Sequence, residues 1–394
     1  MASKNRAQKA KVNAVVCDEN KPIRILHYIG SLNIGGSQMM IMNVYRNIDR
    51  KKIQFDFIID RKNEKHFAKE IESLGGRVYV FDEYFNGRNY FKFKRQWADF
   101  FKSHPEYRII HCHVRSVASI VLKIAKKNGL KTICHSHSIS NGSGVKSLAK
   151  TLLQKRIVKY SDLLLACSKD AAVWLFGEKV ANSKNCIIIK NAIDAEKYQF
   201  DKEKRTAIRT KYGISEDEVL IGHVGRFSDE KNHSFMVDLM DSIKRPEFKM
   251  IFCGDGKAKD SVKHMASHNK NILFYDDIYN AGDLYSALDV FILPSKYEGL
   301  GMALVEAQFN GLTCIVSNTV PEEAKISEKV FFLPLVPKIW LSKIENSRPR
   351  SSFNTTLSPK AKSFMIKNSI ATINTIYYQL LFTLEPYNIG EMHA

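Results

Sequence analysis

No stretch of about eighteen consecutive apolar residues occurs in the 394-residue chain, so no segment is long enough to span a bilayer as a helix. The opening MASKNRAQKAKVNAVVCDEN is basic but lacks the apolar core of a secretory signal. Residues 1–20 read as a disordered leader. The seven cysteines form no Cys-x-x-Cys pair. Cys112, Cys134, Cys167, Cys186, Cys253 and Cys314 lie in or beside apolar runs, the setting of buried, reduced thiols rather than of a disulfide framework. A cytoplasmic protein is expected. Acids are scarce, 41 against 60 lysines and arginines, a formal charge of +19. That excess suits nucleic acid, an anionic membrane surface or phosphorylated small molecules. No RNP-like aromatic motif supports nucleic acid. There is also no Gly-x-Gly-x-x-Gly followed by an acid at the dinucleotide spacing, which discounts NAD.

What is present is strand–helix alternation. IRILHYI, FDFIID, RVYVF, RIIHCH, KTICHSH, DLLLACS and NCIIIKN are β-branched or apolar runs in the first half; VLIGHVG, KMIFCGDG, NILFYD, DVFILP and TCIVS follow. Alternation of this kind predicts parallel sheets covered by helices on both faces. About a dozen strands exceed one such sheet. The chain therefore divides into two Rossmann-like α/β units, residues 21–190 and 191–362. A last segment, 363–394, carries Ile366, Ile370, Ile373, Ile376 and Leu380 at spacings of three and four. That is one apolar helical face, expected to pack back on the N-terminal domain.

In open parallel sheets ligands bind beyond the carboxyl ends of the strands. After the first strand, Gly35-Gly36 opens an apolar helical run, where backbone N–H groups can approach a phosphate. His111 with His113, and His135 with His137, are His-x-His pairs whose rings share a strand face. The pairs could hold zinc or iron, but no nearby carboxylate completes a shell and no metal site is assigned. One histidine from each strand is expected to line a cleft. GHVGRFSDEKNH places Arg226 and Lys231 five residues apart around a loop after a strand. A forked guanidinium and a mobile ammonium suit a diphosphate; a solvated basic loop is the bland alternative. Finally, YEGLGMALVEAQ carries Glu298 and Glu306 eight positions apart, around a glycine turn that opens a helix. Free N–H groups at Gly299, Leu300 and Gly301 can take a pyrophosphate. The two acids would accept hydrogen bonds from sugar hydroxyls, Glu306 from a ribose and Glu298 from a hexose.

The Glu-x7-Glu pair, VGRFSDEKNH, IIKNAID and the GGSQ turn, in this order, together resemble family 4 retaining glycosyltransferases. The likeness runs from about residue 22 to residue 335 and is nearest to transferases of bacterial exopolysaccharide and capsule assembly. It implies the GT-B fold, two doubly wound parallel-sheet domains facing across a cleft, with acceptor bound by the first and donor by the second. It implies donor contacts at Arg226, Lys231, Glu298 and Glu306, a cleft histidine at His137 or less directly His135, and a phosphate-side glycine at Gly36. Ser37-Gln38 departs from the family's usual Ala-Glu or Thr-Glu, which bears on sugar or acceptor preference. Residues 338–362 match no family signature. The implied reaction is front-face transfer from a nucleotide-sugar, a UDP-sugar foremost, to a glycan or lipid-linked glycan. No cofactor, metal ion or protein nucleophile is expected. Two alternatives stand beside it: a nucleotide-sugar epimerase on the same fold, and a non-catalytic basic binding protein.

A peripheral contact with anionic membrane is also expected. KFKRQWADFFK interleaves Lys92, Lys94, Arg95 and Lys102 with Phe93, Trp97, Phe100 and Phe101. As a helix it could set rings among headgroups and cations against anionic lipid. The same rings could instead be the core face of a Rossmann helix.

Overall fold

The computed structural model describes residues 21–33, 35–62, 65–85, 87–115, 117–137, 155–277, 281–350 and 356–382. The leader expected at 1–20 lies outside them. The chain divides into two compact units. One holds the described residues up to Ile188 and those from Asn374 on, the other Ile189–Ile373.

The N-terminal unit is a seven-stranded sheet: β1 Ile23–Tyr28, β2 Ile53–Ile59, β3 Val78–Val80, β4 Ile109–Cys112, β5 Lys131–Ser136, β6 Leu163–Ala166 and β7 Cys186–Ile188. Its order is β3-β2-β1-β4-β5-β6-β7, with every pairing parallel. Helices on the faces force both sides of a central strand inward. Accordingly all seven residues of β2 are buried. The sheet reverses direction of growth between β1 and β4, and there His27 pairs in register with His111.

The helix Tyr90–Ser103 lies on this sheet and settles the membrane question for its rings. Phe93, Trp97, Phe100 and Phe101 are buried in the core cluster, with Trp97 stacked edge-on against Tyr28 and Phe81. They are core, and cannot reach a headgroup region.

The C-terminal unit repeats the plan with six strands: β8 Val219–Val224, β9 Phe248–Cys253, β10 Ile272–Tyr275, β11 Val290–Leu293, β12 Thr313–Ser317 and β13 Val330–Leu333. The order β10-β9-β8-β11-β12-β13 is again parallel throughout. The edge strand β13 is an addition to the strands expected from sequence. Asp289, buried at the foot of β11, fastens it to β8: it accepts from the Leu220 N–H at 2.8 Å, and from Arg205 and Arg209 at 3.0 Å each. A carboxylate so far from water is tolerable because both oxygens meet cations and amides.

The helix Ile366–Phe382 closes the described chain. Ile366, Ile373, Ile376 and Tyr377 are buried, whereas Ile370 and Leu380 are only half-buried. Tyr377, which belongs to the N-terminal unit, sets its hydroxyl 2.9 Å from His111 Nδ1 and its ring edge-on to Phe55.

Candidate functional site

In the C-terminal unit the direction of sheet growth reverses between β8 and β11, so the loops after these strands border one crevice. The loop after β8 carries Arg226 and Lys231, and the loop after β11 carries Ser295 and Glu298. The Lys296 N–H donates to Glu230 O at 2.8 Å and fastens the loops together. Lys231 Nζ donates to Glu298 Oε2, which also accepts from Ser295 Oγ at 3.1 Å. Ser295 is itself held, since its carbonyl accepts from Ser317 and Thr319 at 2.6 Å each.

For Lys231 this differs from the solvated basic loop that is the bland alternative in the sequence. Lys231 is only 17 % exposed and Glu298 13 %. The residues are 67 apart in sequence and form a partly desolvated ion pair. Arg226 does match the solvated expectation: it is exposed, with no ion pair among the described residues.

A second glycine-bearing loop supports the first. Gly225 N–H donates to Cys253 O and Phe227 N–H to Asp255 O, each at 2.9 Å. Backbone meets backbone so closely that a Cβ on Gly254, which sits at φ +152°, would lie 1.9 Å from Gly225 O. Only glycine fits there. Beneath the loop Phe227 stacks on buried His233 at 4.3 Å.

The helix after the β11 loop spans Met302–Phe309, with Gly301 as its N-cap. Gly299 and Leu300 lie in the preceding turn, as the glycine turn of the sequence predicts. The first helical N–H groups, without partners inside the helix, are those of Met302 and Ala303. Glu306 follows on the helix, partly buried, and accepts from Tyr285 OH at 2.8 Å. Burial pushes its carboxyl up to about 7, against opposing hydrogen bonds from Tyr285 and Tyr198. The structure thus joins Glu298 to Lys231 and gives Glu306 a separate tyrosine partner. Ser295, Tyr198, Tyr285 and Gly254 were not singled out from sequence. For Gly254 a signal existed, the glycines of CGDG at a strand end.

In the N-terminal unit the helix Gly36–Asn47 starts at Gly36, and a Cβ there would meet nothing within 4 Å. Gln38 folds back on Ser31, donating to its carbonyl at 3.1 Å. Beyond β4 and β5 the two His-x-His pairs meet as one cluster that also takes in His27. His27 Nδ1 lies 2.9 Å from His113 Nε2, and His113 Nδ1 lies 2.8 Å from His137 Nε2. Burial lowers His27 and His137 to about 3, and His111, His113 and His135 also fall well below the usual histidine range for the same reason. His27 has no His-x-His partner, so only the strand register reveals it.

Two Rossmann-like domains in one chain, the second with a charged crevice at its switch point, define the GT-B class. Residues 34–197 match the family model described as Glycosyltransferase Family 4, and residues 204–331 the one described as Glycosyl transferases group 1. The chain is 30% identical over 359 residues to the putative glycosyltransferase EpsF of Bacillus subtilis (strain 168), covering 89% of this chain and 92% of that one. It is 24% identical to the capsular polysaccharide biosynthesis glycosyltransferase CapH of Staphylococcus aureus, over 84% and 93% of the two chains. The crystal structure of Anabaena Alr3699/HepE in complex with UDP and glucose superposes with a TM-score of 0.68 at 16% identity, covering 91% of this chain and all of that one. The chain belongs to the family 4, group 1 glycosyltransferases.

Proposed function

We propose that the protein transfers a sugar, with retention of anomeric configuration and without a metal ion, from a nucleotide-sugar to a glycan or lipid-linked glycan in exopolysaccharide or capsule assembly. A UDP-sugar is the preferred donor. The observation that carries this reading is the Lys231–Glu298 pair at the switch point, beside a helix N-terminus and an exposed Arg226. The likeness to the putative glycosyltransferase EpsF and the capsular polysaccharide transferase CapH, and the UDP bound to HepE, support it. Both matched models describe transferases, which favours this reading over an epimerase or a non-catalytic binding protein.

In this reading the diphosphate enters between Arg226, Lys231 and the amides of Met302 and Ala303. Lys231 then exchanges a carboxylate partner for a phosphate. Glu298 is released to accept hydroxyls of the transferred sugar, and Glu306 accepts those of the ribose. As the glycosidic bond breaks, charge develops on the leaving diphosphate. Fixed cations and amides aimed at it lower the barrier without reorganising. The acceptor hydroxyl attacks the anomeric carbon from the face the diphosphate leaves, passing its proton to the departing phosphate oxygen as the new glycosidic bond forms, which retains the configuration. His137 and Gly36 are assigned to the reacting sugar and the phosphate side through the family likeness. A thermal-shift screen against UDP-, GDP- and ADP-sugars tests donor binding, since a ligand at about 100 times its Kd adds about 2.7 kcal/mol. UDP-sugar should shift the melt most, and no shift with any donor would overturn the reading. Transfer should persist in EDTA; complete loss reversed by added metal would overturn metal independence.

Among the described residues no helix is long and apolar enough to cross a membrane. We place the enzyme in the cytoplasm at the inner membrane face, on a surface other than the buried rings. Lys94, Lys123, Lys127 and Arg156 line one pocket with Tyr84, Tyr90 and Tyr160, and Phe91 is 83 % exposed on the helix that carries Lys94. Clustered cations beside an exposed ring suit anionic headgroups. Sedimentation should show binding to anionic but not neutral vesicles, weakened by salt.

A further inference from the structure

Among the described residues, two groups of three histidines each bring one ring nitrogen per residue within 4.8 Å of the others: His27, His111, His113, and His113, His135, His137. We propose that, while no donor is bound, His113, His135 and His137 form a binding site for a borderline divalent transition cation such as Zn2+ in the N-terminal unit, where the ion and the transferred sugar compete for His137 and transfer itself uses no metal.

Strand geometry assembles the site. His135 is on β5 and His137 two residues further, so both rings leave the same face, 4.0 Å apart. His113 lies just beyond the adjacent β4, with ring centroids 5.6 Å from His135 and 5.0 Å from His137. At Zn–N distances of about 2.0–2.1 Å, tetrahedral ligand nitrogens stand about 3.3 Å apart. The ring nitrogens lie within 4.8 Å of one another, at most about 1.5 Å wider than that spacing.

The nitrogen inventory points the same way. One hydrogen bond joins His113 Nδ1 to His137 Nε2, which a shared cation would replace, and another joins His113 Nε2 to His27 Nδ1, which would orient the His113 ring. Both nitrogens of His135 and Nδ1 of His137 are buried without a partner among the described residues. Buried polar atoms are nearly always satisfied, and each exception costs free energy. A cation that takes one lone pair from each ring would relieve this. Burial already holds all three rings in the neutral form, which is the ligating form. The group contains no carboxylate, so Ca2+ and Mg2+ are poor occupants, whereas imidazoles suit Zn2+, Co2+, Ni2+ and Cu2+. Three histidines suffice without an acid, because the adjacent strand sets a third ring beside one His-x-His pair. The outer trio is preferred to the inner one because His113 and His137 are only half-buried. His27 and His111 are each 2 % exposed, and His111 Nδ1 is engaged with Tyr377.

The test uses tag-free full-length protein, stripped with chelator and dialysed, without donor or acceptor. This keeps the site's fate separate from that of the transferase reading. Titration with Co2+ should develop the visible absorption of a tetrahedral nitrogen-ligated ion, saturating at about one equivalent, and Zn2+ should displace it. His135→Gln should weaken binding about tenfold or more, while His268→Gln, an exposed histidine of the C-terminal unit, should leave it unchanged. Absence of saturable binding, equal affinity in His135→Gln, or loss in His268→Gln alone would each overturn the assignment. Should His135→Gln fail to fold, X-ray absorption of the zinc-loaded wild type decides: three imidazoles support the site and fewer refute it.

Discussion

The two sheets share one order over six strands, β7 being extra in the first, yet their switch points hold opposite chemistry. Between β8 and β11 the chain places permanent charges, Lys231 against Glu298, with Arg226 in solvent. Between β1 and β4, and on to β5, it places five imidazoles that burial keeps uncharged. Topology supplies the location in both units, and side chains decide what it can do. The charged crevice can meet an anion. The neutral one offers lone pairs and hydrogen-bonded ring nitrogens.

The sharpest way to break the contrast is to remove a charge. Lys231→Ala should lower turnover about 100- to 1000-fold, the scale of losing one fixed transition-state donor. It should also lower stability by about 1–3 kcal/mol, because Glu298 is left partly buried without its cation. Adding Glu298→Gln should restore the melting temperature but not the turnover. Recovery of turnover in the double variant would reduce the pair to a structural role.

A smaller effect is expected at Glu306. Glu306→Gln should weaken donor binding by about 1–3 kcal/mol, measured by calorimetry with UDP. In the wild type, affinity should rise between pH 6 and 8 as the carboxyl, raised from 4.5 to about 7, ionises and becomes a full acceptor. The variant should be flat. Linked to folding, the sign reverses: the folded state holds this proton more tightly than the unfolded, so Glu306 costs stability as pH rises from 4.5 to 7. A pH-independent wild type would refute the ribose assignment.

The neutral crevice should respond to acid instead. Histidines lowered toward 3 refuse protons that the unfolded chain accepts below 6.5. Each therefore loses stability as pH falls, on the order of 1 kcal/mol per pH unit. The melting temperature should drop from pH 6.5 to 5, and less steeply in His27→Gln. The least effect on folding is expected from Arg226→Ala, within about 0.5 kcal/mol because its side chain is exposed and unpaired, while the Michaelis constant for donor rises. A large melting shift there would show a structural role.

Strand–helix alternation made the fold legible, because a buried parallel strand must be β-branched or apolar along its length. β13 escaped because VFFL is a half-exposed edge strand, with Phe331 38 % exposed, among charged neighbours. Glu298, Glu306, Arg226 and Lys231 were legible because each stands near the end of a strand or on the helix that follows. Their partners were not. Lys231 finds Glu298 across 67 residues and Glu306 finds Tyr285 across 21, distances that no local pattern encodes. For the helix Tyr90–Ser103, periodicity showed that one face is aromatic. Whether protein or lipid covers that face depends on Tyr28 and Phe81, on other strands and loops.

Two glycines of this chain answer to different constraints. At Gly254 the neighbouring carbonyl forbids every other residue, so a substitution there disrupts the fold whatever the substrate. At Gly36 the space is open and alanine would fold without strain. Any intolerance at Gly36 therefore has to come from a visiting molecule. Alanine and then valine at that one position would act as a ruler, reporting how near the ligand comes before any ligand has been seen.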